Sequence, residues 1–205
     1  MLMKTNPNRM ELLKLKKRLI VAKRGHKLLK DKRDALIQEF IHLAKESKIV
    51  REELEEKLMN CYQVFSDASS QMSKISLEEA LLFPKAKTEV EISYKNIMSV
   101  KAPKYKYKLE GKYYTYSMFD TPAEIDKALN NFYKIMPLML RVAELDKTIN
   151  LMADEIEKTR RRVNALEYIL MPDLEETIKF ITMKLDEMAR SSISAIMRIK
   201  EIIRS

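Results

Sequence analysis

The chain has 205 residues, of which 34% are charged, with two glycines, no tryptophan and a net charge of +9. That composition excludes the glycine-rich phosphate loop and the glycine fingerprint of dinucleotide sites, and it suits long helices better than a globular enzyme. The single Cys61 excludes an internal disulfide and fits a reducing compartment.

The opening Met1-Leu2-Met3-Lys4-Thr5 has no apolar core of signal-peptide length. Asn8 is an N-cap candidate with Glu11 three residues on, as in a capping box. A helix is predicted from there to about Asn60. Its a and d heptad positions are Leu12, Leu15, Leu19, Ala22, His26, Leu29, Arg33, Leu36, Phe40, Leu43, Ser47, Val50 and Leu54. Ten of these thirteen are apolar, so the stripe demands a partner helix of equal length. His26 and Arg33 at a positions read as register-setting residues. Two histidines without neighbouring cysteines or carboxylates do not make a metal site.

Charge is uneven. Residues 1–33 hold twelve Lys or Arg against Glu11 and Asp31, a surplus of +10 that leaves −1 for the remainder. A basic end this dense expects an acidic partner or is a solvated helix face. Its candidate contact residues are Arg9, Lys14, Lys17, Arg18, Lys23 and Arg24, with Arg198 from the other end of the chain.

The heptads fade from Cys61, and residues 62–83 read as a softer helix ending before Pro84. The period then becomes two. Val90, Ile92 and Tyr94 alternate with Glu89, Glu91 and Ser93, and Tyr105, Tyr107 and Leu109 alternate with Lys104, Lys106 and Lys108. With Lys112 to Tyr116 following Gly111, this predicts a β-hairpin turning at Gly111, joined by a strand over 88–98. The apolar run at Ile135 to Leu140 is interrupted by Pro137 and too short to span a bilayer.

Thr121-Pro122-Ala123-Glu124 predicts a helix start with Pro122 at the first helical position. Pro137 falls inside the following pattern, which reads either as one helix through it or as a short helix and a long one. From Leu138 a second ladder runs through Val142, Leu145, Ile149, Met152, Ile156, Thr159, Val163, Leu166 and Leu170, steps by four to Leu174 and Ile178, and continues to Ile202. Repeated steps of four are a stutter, and Pro172 beside them predicts a kink within one continuous helix. The fold class is therefore mainly α. A long antiparallel intramolecular coiled coil joins residues 1–60 and 122–205 around a central region, 61–121, holding a short helix and a β-hairpin. Matching the two ends places Gly25 beside Ala189 and Ser192, where small residues allow close helix packing.

The segment from Asn6 to Phe40, densest through Lys23-Arg24-Gly25-His26-Lys27-Leu28-Leu29, resembles the N-terminal helix of the D subunit of V-type and A-type rotary ATPases. A second block, Arg161-Arg162-Val163-Asn164-Ala165-Leu166-Glu167 followed by Met171-Pro172, is similar to that family's C-terminal signature. Asn96-Ile97-Met98-Ser99-Val100 is a fainter echo, with Ser99 where the family commonly has glycine. The signature residues carried over are His26, Arg161, Arg162, Asn164, Glu167 and Pro172.

The resemblance implies a central rotor shaft that is not itself catalytic and needs no cofactor. The implied partners are the catalytic and regulatory subunits of the ATPase hexamer, the small F subunit of the central stalk and a membrane-side collar. It also implies a chain that is cytoplasmic and peripheral to the membrane, neither inserted into it nor bound to nucleic acid. Two alternatives rest on other grounds. One is a basic coiled coil lying along nucleic-acid phosphates, whose binding falls steeply with salt; against it, the basic stretch also carries seam positions. The other is a prefoldin-like chaperone subunit, which has the same kind of elements in a much shorter chain. Identification of the large proteins that copurify separates the three. The coupling ion is not written in the sequence.

Overall fold

The computed structural model describes residues 6–82, 86–111, 116 and 121–204. Helix α1 spans Arg9–Ser70 and α2 spans Lys74–Leu82; strands β1, Lys87–Ile97, and β2, Val100–Glu110, follow; α3 spans Ala123–Ala165, a π-helical turn Leu166–Leu170, and α4 Met171–Arg204. The chain divides into two compact units, one of residues 1–35 with 156–205 and one of residues 36–155.

Helix α1 starts as its cap predicts: the Met10 N–H donates to Asn8 Oδ1 at 3.4 Å. All thirteen a and d positions of the stripe are buried or half-buried. The helix also runs on to Ser70 rather than stopping near Asn60, because the heptads do not end at Cys61. Cys61 and Ala68 occupy the next a positions and are both buried.

In the first unit, Leu15 and Ala22 of α1 form one core with Leu174 and Ile181 of α4, and Leu12, Leu19, Leu170, Ile178 and Leu185 pack around it. Lys23 pairs with Glu175 at 2.8 Å and His26 meets Glu167 at 3.3 Å, so the two helices run antiparallel. This register corrects the expected one by about two heptads. Gly25 lies at the level of the residues just after the π turn, not beside Ala189 and Ser192. Nothing lies within 4 Å of a Cβ built on Gly25, and Ala189 and Ser192 are exposed; close helix packing at these three residues does not occur. The seam ladder of α4 is covered as far as Leu185, and every described residue from Asp186 to Arg204 is exposed.

The stutter has a local structural form. The Met171 N–H donates to the Leu166 carbonyl, five residues back. A π turn holds more residues than an α turn, so it absorbs the ladder's extra residue in place. It also lies directly before Pro172, whose ring would meet the carbonyl of an ordinary turn. Pro137 does not divide its helix: α3 is continuous through it, and the residue is exposed.

In the second unit α1 lies antiparallel to α3. Ser47 and Arg51 reach Asp146 at 3.1 and 2.5 Å, and further along Tyr62 and Phe65 meet the Phe132 ring edge-on at 5.9 and 6.4 Å. Leu36, Leu43, Cys61, Ile125, Ile135, Leu145 and Met152 are buried here.

The hairpin formed by the described residues turns at Met98 and Ser99, ahead of Gly111. β1 pairs antiparallel with β2 from Lys87↔Glu110 to Ile97↔Val100, with Met98 and Ser99 at φ 49° and 75°. A two-residue loop with positive φ at both positions matches the twist of the flanking strands. Neither residue is the Asn or Gly that usually announces such a turn, so local residue preference points past it to Gly111. That glycine, at φ 100°, follows the end of β2. The strand expected over 112–116 falls, apart from Tyr116, outside the described residues.

Gly25→Ala raises stability by about 1 kcal/mol, since the open space costs the methyl nothing and alanine favours helix. The buried Thr159 hydroxyl has no hydrogen-bond partner among the described residues, so Thr159→Val raises stability by about 1 kcal/mol by removing a desolvated polar group; urea melts read both. Ser99→Gly relieves a left-handed residue worth about 1–2 kcal/mol, and hydrogen exchange across the hairpin slows, whereas Ser99→Val speeds it.

Candidate partner-binding surfaces

Helix geometry distributes the basic residues of α1 around its outer surface, because a and d positions are taken by the seam. Arg9, Lys17, Arg18 and Arg24 are exposed. Lys14 is held by Glu11 at 2.8 Å on its own helix. Lys23 bridges to Glu175 at 2.8 Å, so part of its charge is spent within the chain, although an exposed pair of this kind contributes at most about 1 kcal/mol. The basic surface is also interleaved with apolar residues: Leu13, Ile20, Val21 and Leu28 are 52% to 69% exposed. A partner for this face therefore meets alternating charge and hydrocarbon.

Arg198 stands on the uncovered end of α4, where Ile193, Ile196, Met197, Ile199, Ile202 and Ile203 are 54% to 79% exposed. These residues continue the amphipathic pattern of the helix beyond the point where α1 covers it. An apolar helix surface of this extent marks an interaction site more readily than a solvated end.

The two signature blocks meet in one contact. His26, half-buried at its a position, puts Nε2 3.3 Å from Glu167 Oε2 within the π turn. The contact gives His26, at its a position, a polar partner from the other signature block. The other signature residues do not join it. Arg161 bonds Glu157 on its own helix, and Arg162, Asn164 and Pro172 are exposed. The π turn also presents Tyr168 and Ile169, 72% and 62% exposed. Among the described residues no three His, Cys, Asp or Glu gather as a metal site, and no helix is long and apolar enough to cross a membrane.

The second unit holds a polar junction that sequence reasoning missed. Arg141 of α3 donates to Glu46 of α1 at 2.6 Å and to Glu144 at 2.7 Å. The other Glu144 oxygen accepts the Tyr105 backbone N–H of β2 at 3.4 Å. One guanidinium thus links α1, α3 and the hairpin. It borders a cavity of about 350 Å³ lined also by His42, Lys95 and Lys104. The local half of the junction, Glu144 three residues after Arg141, is legible in sequence; the half contributed by Glu46 and Tyr105 exists only once the elements are paired.

The chain matches the family of the ATP synthase D subunit over residues 11–201. The V-type ATP synthase D subunit of Thermoanaerobacter sp. (strain X514) is 52% identical over 200 residues, spanning 97% of this chain and 96% of that protein. The protein of the same description from Fusobacterium nucleatum subsp. nucleatum is 49% identical over 205 residues, spanning 98% and 97%. That from Clostridium botulinum (strain ATCC 19397 / Type A) is 50% identical over 208 residues, spanning 99% and 96%. With similarity running through both helical ends and the hairpin between them, the chain belongs to the family of ATP synthase D subunits.

Proposed function

We propose that this chain is the central-stalk rotor subunit of a V-type ATPase or ATP synthase. It transmits torque between nucleotide turnover in a catalytic hexamer and ion translocation in a membrane ring, and performs no chemistry itself. Its partners in this reading are the catalytic and regulatory subunits of the hexamer, the small F subunit and a membrane-side collar, with the chain cytoplasmic and peripheral to the membrane.

The observation that carries the reading is the uncovered end of α4. Residues 186–204 are all exposed and still bear the apolar residues of a seam, so the helix is built to be enclosed by something other than α1. The wall of a hexamer bore supplies such an enclosure. Arg9, Lys14, Lys17, Arg18, Lys23, Arg24 and Arg198 are its proposed bearing contacts. Exposed ion pairs exchange readily, each contributing about 0–1 kcal/mol, and the interleaved Leu13, Ile20, Val21 and Leu28 add contacts without direction. Both kinds of contact let a shaft turn while keeping it centred.

A disulfide between a cysteine introduced at Arg198, or at Arg18, and the hexamer wall tests this. Cys61 is 1% exposed and burial pushes its thiol pKa up, so the introduced cysteine is the one that oxidises. Multi-turnover ATP hydrolysis stops when the bond forms and returns on reduction. Turnover at the uncrosslinked rate with the bond fully formed shows that the chain is not the rotating element.

A further inference from the structure

Features that weaken a pair of packed helices coincide at one level of the first unit. On α1 the feature is Gly25. It has helical backbone within α1, and nothing lies within 4 Å of a Cβ built on it, so neither conformation nor packing requires glycine there. What glycine does bring is the poorest helix propensity after proline. On the facing helix the feature is the π turn Leu166–Leu170, with Pro172 just beyond it. The turn interrupts the regular α ladder, and a proline donates no N–H to the turn before it. Lys23 meets Glu175 and His26 meets Glu167, so Gly25, between Lys23 and His26, lies level with the stretch that holds the end of the π turn and Pro172.

The seam thins at the same level. To one side, Leu15, Ala22, Leu174 and Ile181 form a buried core; to the other, Thr159 and Val163 are buried. Between them, His26, Leu29 and Arg33 on α1 and Leu166 and Leu170 on the facing helix are only half-buried, and the π turn buries no residue at all. The described polar contacts that join the helices here are the 3.3 Å approach of His26 to Glu167 and the 2.8 Å pair of Lys23 with Glu175. Both are partly exposed and exchange readily with water. Bends in long helices gather at glycine, proline and π turns, and segments with few buried apolar contacts open most easily.

We propose that residues 25–29 of α1 and residues 166–172 of the facing helix form a compliant joint, where both helices open, bend and twist together more readily than on either side. They act together because each covers the other: once one turn opens, the half-buried side chains of its partner lose what packing they have. The joint is a property of the chain alone. It stands or falls apart from the rotor reading, within which it is the level where a shaft takes up twist.

Amide hydrogen exchange on the full isolated chain tests this. Protection, corrected for the intrinsic rate of each residue, is at least about tenfold lower at residues 25–29 and 168–171 than at 15–22 and 174–181. The order is informative, because fraying alone leaves the level of Leu15 and Ile181, nearer the chain ends, the less protected. Gly25→Ala raises protection about fivefold at 25–29 and, because the helices open together, by a similar factor at 168–171. His26→Leu, which places hydrocarbon at the seam, also raises protection on both helices. Protection at the joint no lower than at 15–22 overturns the proposal. So does an unchanged facing helix in Gly25→Ala, which shows separate weak turns and no joint.

Discussion

The structure depends on covering one stripe. Helix α1 is 62 residues long. A helix of that length is not held by propensity; its stability comes from packing of its apolar face. At about 25 cal/mol per Å² of buried apolar surface, each fully covered leucine, such as Leu36 at 0% exposure, contributes about 2 kcal/mol. The contributions repeat every half-heptad, and α4 in one unit and α3 in the other supply the facing residues.

The seam is not uniformly large and apolar. Ala22, Ser47, Ala68, Thr148, Thr159 and Thr177 are buried in it. Small residues admit a neighbouring helix at short range, and most of the hydroxyls satisfy themselves. Thr148 and Thr177 donate to the carbonyls of Glu144 and Asp173 on their own helices at 2.7 and 2.6 Å, and Ser47 donates across to Asp146 at 3.1 Å. Such bonds keep polar groups in a dry seam at little cost. The π turn solves a different problem. A ladder carrying an extra residue must either unwind over several turns or widen one, and a proline directly after the wide turn favours the second.

The outer surfaces divide by chemistry. In the first unit, cations and hydrocarbon alternate on α1, and α4 offers an apolar end. In the second, a guanidinium joins three elements through charge-assisted bonds. A helical protein whose inner surfaces are so regular leaves its distinguishing features on the outside, where partners meet them.

The sequence by itself determined the helices, the thirteen seam positions, the helix entry at Asn8, the presence of strands in the middle and the stutter before Pro172. All of these are local: a period of 3.5 or 2, a cap or a missed step is written within a few residues. It did not determine the register. Any slip by whole heptads leaves apolar residues opposite apolar residues, so matching the chain ends puts Gly25 beside Ala189 and Ser192, two heptads away from where the pairs Lys23–Glu175 and His26–Glu167 set it. It did not place the turn either, because Met98 and Ser99 reach positive φ under the demand of the paired strands and not by their own preference. The Arg141 junction is decided by tertiary structure for the same reason: it joins groups far apart in the chain, whose distance is fixed only when the helices and strands choose their partners.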